Sequence, residues 1–459
     1  MAAVRTFAAV LSVFVVVSVV ISARIHRAQP EPYMDEIFHI PQAQKYCQGK
    51  FTEWDPMITT LPGLYLSSVG LLKPAVLVAG VEVGVACSTL LLRATNVLFA
   101  VGNVYLLWAL LRKIHGETAD PLLQCLNAVT LASLPVLYFF SFLYYTDPGS
   151  TFFTLFMYLH CCHGNHVLAA MMGCVAVMFR QTNVVWLVFC AGVTAVNMVE
   201  RKHPPKRDPN VLTSLYDSVR TVLQYLATVS HFAKVTLAVL PYAAQVAVFA
   251  VFVYVNEGIV VGDRTSHEAC LNFPQIFYFF AFSFVFSFPH VLSPSQVSQF
   301  LKCDKKKAAL LLVLLGLSYV LVDRFTYVHP YLLADNRHYT FYVWQRLFQR
   351  HTAVKFALLP AYLYFGWSMF HRLGETRSPL WQLVFLVCLL VSTVPQKLLE
   401  FRYFIVPYLL YRLHVRVTCY YRLLAELVLY TAVNAVTVYL FVARPFLWPD
   451  SSELQHFMW

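Results

Sequence analysis

The sequence predicts an all-α polytopic membrane protein, and two observations lead to this class. Of its 459 residues, 59% are apolar and 12% carry a formal charge, whereas a soluble chain is roughly 45–50% apolar and about 25% charged. The charged residues also fall between long apolar runs rather than inside them. At about 20 residues for each crossing of a bilayer, the apolar content suffices for about 11–14 transmembrane helices. We expect these helices to form a single membrane domain over residues 1–459.

Composition also excludes other classes of protein. The chain is too long for a small secreted disulfide scaffold, and its 16 Gly are too few for a collagen-like or linker protein. The net charge of +11 is spread over short segments between apolar runs and forms no aromatic-and-basic cluster. It therefore predicts membrane topology and contact with anionic membrane lipids rather than nucleic-acid binding.

The apolar runs predict the helices in order. The first run, from Phe7 to Ile21, leads into a polar loop without a strong cleavage site, which favours a retained anchor over a signal peptide. The stretch from Leu61 to Gly80 is interrupted by Lys73 and Pro74 and fits an interfacial helix as well as a span. The clearer spans lie at residues 91–112, 122–144, 150–163, 167–179, 184–199, 235–255, 274–292, 308–322, 353–370, 380–395, 403–413 and 423–443.

The distribution of charge predicts the orientation of the chain. With a cytosolic N-terminus, alternate loops are rich in Lys and Arg and poor in acids, as the positive-inside rule expects. The longest of these loops covers residues 200–234. The opposite loops mix Arg with Asp, Glu, His and aromatic residues, and they comprise residues 24–60, 256–272, 323–352 and 395–402 and the tail at 444–459. We therefore expect the chemistry on the non-cytosolic side.

The cysteines carry less information. Seven of the eleven Cys, Cys87 among them, lie inside apolar runs, where a free thiol behaves as a small hydrophobe. A disulfide between Cys47 and Cys270, in loops predicted on the same side, remains open. No Cys or His spacing is typical of a zinc site, and no metal is expected.

The first polar cluster lies in the loop at 24–60. Adjacent carboxylates point in different directions, so at most one of Asp35 and Glu36 faces a given reacting atom. If a helix begins at Asp35, then Asp35 and His39 share one of its faces. Two compatible interpretations of Asp35 remain open, a helix N-cap and a catalytic carboxylate. Trp54 and Asp55 follow in the same loop.

The loop at 256–272 carries a second polar cluster. It contains Asp263, Arg264, His267 and Glu268 within six residues. One interpretation is an ordinary polar turn with local ion pairs. The other is a polar patch that faces the same compartment as Asp35.

The third cluster lies in the loop at 323–352. Aromatic anchoring at the membrane interface explains Tyr and Trp in such a loop, but it does not call for Asp, Asn, Arg and His together. An Arg is suited to bidentate phosphate binding, and a His can donate to a phosphate oxygen or act as an acid. The residues concerned are Asp335, Asn336, Arg337, His338, Tyr342 and Trp344.

Further polar groups stand at the ends of predicted spans. Lys397 and Arg402 are either a snorkelling Lys and an intrahelical pair or a second cationic phosphate site. Charges also occur in the segments 145–147 and 179–183, and charges at membrane depth usually face a cavity. No P-loop, dinucleotide-binding glycine pattern or Asp-x-Asp pair occurs. This argues against a soluble nucleotide-sugar donor and leaves a lipid phosphate donor.

Several of these strings resemble one family. They are Glu31-Pro-Tyr-Met-Asp-Glu-Ile-Phe-His-Ile-Pro-Gln-Ala-Gln44, Trp54-Asp-Pro-Met-Ile-Thr-Thr-Leu-Pro-Gly-Leu-Tyr65, Gly262-Asp-Arg-Thr-Ser-His-Glu-Ala-Cys270, Ala334-Asp-Asn-Arg-His-Tyr-Thr-Phe-Tyr-Val-Trp344 and Pro395-Gln-Lys-Leu-Leu-Glu-Phe-Arg-Tyr-Phe404. They resemble the endoplasmic reticulum α-1,2-glucosyltransferases that add the third, terminal glucose to the dolichol-linked oligosaccharide of N-glycosylation. The likeness runs from Glu31 to Trp459 and is weakest over residues 201–234.

The resemblance implies a GT-C-type multi-span fold in the endoplasmic reticulum membrane, with catalytic lumenal loops and no metal or cofactor. The implied donor is dolichyl phosphate glucose, and the acceptor is the diglucosylated dolichol-linked oligosaccharide. Transfer would invert the β-linked donor to an α-1,2 product. Enzymes of this class use an acidic residue in the first lumenal loop as general base, which points to Asp35, with Glu36 as the fallback.

The chemistry of this reaction suggests roles for the other clusters. The departing dolichyl phosphate is charged, so it needs cations rather than a strong acid, and the candidates are Arg337, His338, Lys397 and Arg402. The expected substrate-binding residues are His39, Trp54, Asp55, Asp263, Arg264, His267, Glu268, Asp335, Asn336, Tyr342 and Trp344. Two alternatives stay open, a polytopic transporter and a non-catalytic accessory subunit with an ion-channel partner. A transporter typically shows internal repeats, and none is seen.

Overall fold

The computed structural model describes residues 2–80, 82–116, 120–204, 211–264, 269–302, 304–449 and 452–459. Nearly all regular structure in them is helical. The first half contains α1 (Ala2–Ala28), α2 (Glu36–Cys47), α3 (Gly63–Ala79), α4 (Val83–Ala86), α5 (Thr89–His115), α6 (Pro121–Ala132), α7 (Pro135–Phe140), α8 (Thr146–His163), α9 (His166–Phe179), α10 (Val184–Lys202) and α11 (Val211–Leu226).

The second half continues with eleven more helices. They are α12 (Val229–Val255), α13 (Pro274–Val291), α14 (Pro294–Leu301), α15 (Lys305–Phe325), α16 (Pro330–Ala334), α17 (Tyr339–Val343), α18 (Val354–Ala357), α19 (Leu359–Gly374), α20 (Pro379–Thr393), α21 (Ile405–Leu413) and α22 (Tyr420–Ala443). Short 3-10 turns cover Gln181–Asn183 and Phe401–Phe404, and a π-helical turn covers Trp344–Gln349. Strand β1 (Phe446–Leu447) pairs antiparallel with β2 (Leu454–Gln455).

The all-α polytopic class is confirmed. Among the described residues, six helices are long and apolar enough to cross a membrane: α1, α5, α10 with the turn before it, α12, α15 and α22. The pair α13 and α14, bent by 118°, adds a seventh if it counts as one broken span. The predicted number of about 11–14 is reached only if at least four of the shorter helices α3, α6, α8, α9, α19 and α20 also cross.

The difference in number has a physical cause, which the predicted span at 122–144 illustrates. It divides into α6 and α7 because Pro135 begins a new helix, and Leu134 before it has extended ψ of 121°. A proline lacks the N–H that a continuing helix needs and disfavours helical geometry in the residue before it. At about 1.5 Å per residue, the 12 residues of α6 cover only about 18 Å of a hydrocarbon core that is about 30 Å thick.

The core of the molecule lies where α5, α8, α9 and α10 pack together, with α1 and α6 against α5. On the other side α13 packs against α19 and α22. Helices α12 and α15 lie at the periphery, where most of each span is unburied and rich in Val and Leu. These packed helices carry the site, because Asp147 at the start of α8 lies between Arg180, directly after α9, and Arg402, and Tyr145 before α8 contacts Asp35.

A disulfide joins Cys47, at the end of α2, to Cys87, directly after α4. The pairing of Cys47 with Cys270 is therefore wrong. Cys87 does not lie inside a span as the apolar run suggested, because α4 is a single turn that ends at Ala86. Cys270 is a free thiol, and its backbone N–H donates to the carbonyl oxygen of Pro395 at 3.2 Å.

Candidate active site

Asp35 stands at the start of α2, but its side chain makes no capping hydrogen bond. Its Oδ2 instead lies 3.3 Å from Nη1 of Arg402, and its backbone N–H donates to the hydroxyl of Tyr145 at 3.2 Å. Met34 before it has a left-handed backbone (φ 56°), a strained conformation that is frequent at functional sites. The side chain of Asp35 is 45% exposed. Of the two open interpretations, the geometry favours a carboxylate that is available to a substrate.

Glu36 has the opposite environment. Its side chain is fully buried, and its two oxygens accept four hydrogen bonds, two from Arg93 and two from the backbone N–H groups of Tyr33 and Tyr144. Arg93 also donates to the carbonyl oxygens of Gln29 at 2.6 Å and Glu31 at 3.0 Å. A carboxylate whose lone pairs are all used cannot take a proton from a substrate. Glu36 therefore fastens the first loop to α5.

Arg402 is the centre of a row of alternating charges. Its Nε and Nη2 lie 2.9 Å and 2.8 Å from Oε2 of Glu400, and its Nη1 lies 3.8 Å from Oδ2 of Asp147. On the other side of Asp147, Oδ1 lies 3.3 Å from Nη1 of Arg180. Asp147 is 2% exposed, whereas the two Arg side chains are 16% and 17% exposed. Two guanidinium groups are thus held side by side by one buried carboxylate.

The electrostatics of the row keep Asp35 ionised. Burial alone raises the pKa of Asp35, but the positive charge of Arg402, together with His39 and His338, brings that pKa below its ordinary value. The carboxylates of Glu400, Asp35 and Asp147 raise the pKa of Arg402, whereas burial lowers it. Burial lowers the pKa of His39 to about 4, so its imidazole is neutral at pH 7. Asp35 is therefore ionised and able to accept a proton, whereas the imidazole of His39 carries no positive charge at pH 7.

His39 and Trp54 meet at the ring of Tyr65, and Asp55 follows Trp54 in the first loop. The Nδ1 of His39 lies 2.5 Å from the hydroxyl of Tyr65. Trp54 packs edge-on against the Tyr65 ring at 5.8 Å. Asp55 accepts from the backbone N–H of Met57 at 2.9 Å and closes a local turn. Tyr65 thus joins His39 to Trp54, and the role of all three residues in substrate binding stays a prediction.

A small polar cavity adjoins Arg402 and opens toward the same row of charges. Its volume is about 30 Å³, which is room for about one water molecule. Oδ2 of Asp147 has no hydrogen-bond partner in the part of the chain that the structure describes, although Arg402 lies near it. The cavity is lined by Asp147, Ser150, Thr151, Arg180, Thr182, Asn183, Trp186, Ser392, Gln396, Arg402, Tyr403, Ile405 and Val406.

The loop at 256–272 supports the first loop from outside. The backbone N–H of Asp263 donates to the carbonyl oxygen of Pro56 at 2.8 Å. Gly262 is required there, because its φ is +71° and a Cβ would lie 2.3 Å from that oxygen. Arg264 donates to the carbonyl oxygens of Asn256 and Glu257 at the end of α12, so it caps this helix rather than facing Asp35. His267 and Glu268 lie outside the described residues.

Arg337 is engaged by its own loop and by the tail. Its Nε and Nη2 donate to the two oxygens of Asp335 at 2.8 Å and 2.7 Å, and its Nη1 donates to Oε1 of Gln455 at 2.8 Å. Its guanidinium also stacks on the ring of Trp448 at 4.6 Å. Arg337, like Arg402, is therefore a guanidinium that carboxylates already hold in place, and its side chain is exposed to a similar degree, 18% against 16%. Asn336 belongs to the same assembly, since its Oδ1 accepts from Nε1 of Trp448.

Of the remaining predicted residues, one lies near Asp35 and the others pack against aromatic rings or belong to the core. His338 acts on the pKa of Asp35 and is 25% exposed, which places it near the candidate base. Tyr342 is partly exposed and packs against the ring of Phe457 at 5.5 Å. Trp344 is only 6% exposed and belongs to the core, so it does not face a sugar. The Nζ of Lys397 lies 5.4 Å from the ring of Tyr327.

The sequence did not assign roles to Asp147, Arg180 and Arg93. Asp147 and Arg180 carried a usable signal, because both are charges at the end of an apolar run. Arg93 carried one too, as an Arg two residues inside the predicted span at 91–112 that requires a buried carboxylate as partner. What the sequence could not supply is which carboxylate each Arg meets, since Glu36 lies 57 residues from Arg93.

Comparison with known proteins supplies the family. A sequence model described as the DIE2/ALG10 family matches residues 29–413. The chain belongs to the DIE2/ALG10 family. The match contains the whole row of charges around Arg402 and ends before the tail at 444–459.

Relatives in this family are similar to the chain over almost their whole length. A rat protein named Dol-P-Glc:Glc(2)Man(9)GlcNAc(2)-PP-Dol alpha-1,2-glucosyltransferase is 50% identical over 99% of this chain and 98% of its own. A human protein of the same name is 48% identical with the same coverage. One from Arabidopsis thaliana, also so named, is 34% identical over 98% of this chain and 99% of its own. No solved structure matches the chain.

Proposed function

We propose that this chain transfers glucose from dolichyl phosphate glucose to the diglucosylated dolichol-linked oligosaccharide and forms the terminal α-1,2 linkage. Membership of the DIE2/ALG10 family and full-length relatives named for this activity support the proposal. The observation that carries it is the contact between Asp35 and Arg402, an accessible carboxylate beside an engaged cation. Inverting transfer from a phosphate donor requires both kinds of group.

Asp35 is proposed as the general base. In an inverting reaction one carboxylate takes the proton of the acceptor hydroxyl as it attacks the anomeric carbon from the face opposite the leaving group. The low pKa of Asp35 depends largely on Arg402. When Arg402 turns to a bound phosphate, its hold on Asp35 weakens, and the basicity of the carboxylate rises while the donor is in place. Glu36 is not proposed as base, because its oxygens are already bonded.

Arg402 is proposed to bind the donor phosphate. A guanidinium stabilises the charge that develops on the departing dolichyl phosphate. Arg180 stands beside it across Asp147 and supplies a second guanidinium to the same cavity. His338 and Lys397 are proposed as further contacts of the phosphate or of the glycan. Arg337 is proposed as another contact of the donor phosphate, held in place by Asp335 and by Gln455 of the tail.

The proposed setting is the endoplasmic reticulum membrane, with a cytosolic N-terminus and a lumenal active site. The disulfide between Cys47 and Cys87 supports this orientation, because disulfides form in oxidising compartments such as the lumen. Basic residues at the opposite end of the molecule support it too. Lys302, Lys305 and Lys306 are exposed where α15 begins, and we propose that they contact anionic lipids of the cytosolic leaflet.

The alternatives are less well supported. The names of the relatives describe a glucosyltransferase, not a transporter or a channel subunit. An ion-channel partner remains an additional hypothesis, for which co-purification is the test. It does not bear on the chemistry at Asp35.

Glucose transfer by the purified chain tests the proposal. The chain in detergent is incubated with dolichyl phosphate glucose and a diglucosylated lipid-linked acceptor, and the product is analysed for its new linkage. We expect one added glucose in an α-1,2 linkage. Absence of transfer by a folded, monodisperse preparation, or transfer with a different linkage, contradicts the proposed function.

A further inference from the structure

The tail segment, Leu454–Trp459, lies against the parts of the chain that carry the candidate site. Gln455, His456 and Met458 are 4%, 2% and 1% exposed. The segment is not helical, so its backbone groups need partners elsewhere. Leu454 and Gln455 pair with β1, and the residues after them find partners in the first loop and in the loop at 323–352. The match to the family does not extend to this segment.

The first contact is made with Tyr33, two residues before Asp35. The hydroxyl of Tyr33 donates to the carbonyl oxygen of His456 at 2.7 Å and accepts from its backbone N–H at 2.8 Å. The two rings meet edge-on at 5.4 Å. This double hydrogen bond fixes the chain immediately before the strained residue Met34. It therefore limits where Asp35 can point.

The second contact is made with Arg337 and His338. The backbone N–H of Met458 donates to the carbonyl oxygen of Arg337 at 2.8 Å. The Nδ1 of His338 lies 2.6 Å from the carbonyl oxygen of Trp459. The imidazole is thus held from one side by the tail segment and from the other by Asp335, 3.6 Å from its Nε2. Its orientation toward Asp35 depends on both.

The third contact is made with Phe401, the neighbour of Arg402. The ring of Trp459 packs at 5.9 Å from the ring of Phe401 and at 4.7 Å from that of Tyr339. Phe401 and Arg402 begin the same 3-10 turn. A displacement of the Phe401 ring would move the backbone that carries Arg402.

We propose that the tail segment is a positioning element that sets the distance between Asp35 and Arg402. The inference rests on the proposed function, because it assigns the base and the phosphate ligand to these two residues. The tail segment touches neither, but it contacts the residues beside both. In a reaction of this kind a misplacement of about 1 Å can cost about a hundredfold in rate. The chemical step should therefore be more sensitive than substrate binding to the loss of these contacts.

The ring of Trp459 allows a test with a conservative rescue. Its Nε1 has no hydrogen-bond partner among the described residues, so only its ring contacts matter. We expect Trp459→Ala to lower kcat by about tenfold or more, with the KM for dolichyl phosphate glucose nearly unchanged. Trp459→Phe should restore most of the rate, since it keeps a ring against Phe401.

The hydroxyl of Tyr33 allows a second test that removes one oxygen atom. Tyr33→Phe should also lower kcat more than it raises KM. The matched control is Tyr138→Phe, which removes a hydroxyl that is equally buried but bonded to Ser18 at 2.8 Å, away from the site. The control should turn over at the wild-type rate after correction for the folded fraction. If Trp459→Ala fails to fold, Tyr33→Phe decides the matter.

Two outcomes overturn the proposal. One is a wild-type kcat in Trp459→Ala or Tyr33→Phe. The other is an equal loss in Tyr33→Phe and Tyr138→Phe, which would mean a general loss of stability. Failure of the proposed function is distinguished by Asp35→Asn: if that variant is fully active, the base assignment fails. If Asp35→Asn is inactive while the tail variants are normal, only the positioning role fails.

Discussion

Asp35 and Glu36 are neighbours in the chain but differ in almost every physical respect. The side chain of Asp35 is 45% exposed and pairs with Arg402. The side chain of Glu36 is buried and accepts four hydrogen bonds. The sequence could predict that only one of two adjacent carboxylates faces the reaction. It could not predict which one, because the choice depends on the distant residues Arg93 and Arg402.

Replacing Glu36 tests whether this residue is structural and not the base. Glu36→Gln leaves the guanidinium of Arg93 buried without its counter-charge, and breaking such a pair typically costs about 3–5 kcal/mol. We expect a marked fall in the thermal unfolding temperature in detergent, with the rate per folded molecule largely retained. A stable Glu36→Gln protein without activity would instead make Glu36 the base.

Arg402 should control the pH dependence at low pH. The pKa of Asp35 lies below its ordinary value because Arg402, His39 and His338 outweigh burial. Activity that needs ionised Asp35 is then present above this pKa and lost as the pH falls through it. Arg402→Gln removes the main opposing charge, so we expect the acidic limb of kcat/KM to move to higher pH. An unchanged limb in the residual activity would mean that Asp35 is not the titrating group.

At the level of elements, the sequence predicts the ends of the short helices least well. The apolar runs predicted where the helices lie, but not where each one stops. Pro135 divides one predicted span, and α4 ends at Ala86 so that Cys87 reaches Cys47. Tertiary contacts stabilise breaks of this kind, and the hydropathy of the sequence gives no information about such contacts. The same holds for α2, whose start at Asp35 was expected and whose side-chain partner Arg402 was not.

The disulfide should fasten α2 to the segment after α4. Cys47→Ser removes a crosslink between residues that are 40 positions apart, and such a loss typically costs about 2–4 kcal/mol. We expect a lower unfolding temperature for this variant and for the wild type under reduction. Cys270→Ser is the matched control, because Cys270 is a free thiol, and it should unfold like the wild type. An effect of Cys270→Ser as large as that of Cys47→Ser would contradict the pairing.

On the scale of the whole molecule, charge is divided between two ends. The row around Arg402, the disulfide and the tail segment lie at the end to which the loop after α1 belongs. The exposed residues Lys302, Lys305 and Lys306, where α15 begins, are proposed to lie at the other. The distribution of charge along the sequence predicts such an asymmetry, but it could not bring together Asp35, Asp147 and Arg402, which lie far apart in the sequence.

Two free cysteines can test the orientation. Cys270 belongs to the loop that supports the first loop, and Cys419 precedes α22 at the opposite end; both are partly exposed. In variants that retain only one of them beside the disulfide, a membrane-impermeant maleimide is added to sealed microsomes. We expect Cys419 to react at once and Cys270 only after the membrane is permeabilised. The reverse order would place the site in the cytosol.

The most direct measurement is the turnover of Asp35→Asn with dolichyl phosphate glucose and the lipid-linked acceptor. Asn has the size of Asp but cannot take the acceptor proton, so we predict a fall in kcat of about a thousandfold in a protein that remains folded. Asp120→Asn is the control, because the side chain of Asp120 caps α6 and Asn caps a helix as well as Asp. Near-normal turnover by Asp35→Asn would contradict its assignment as the base.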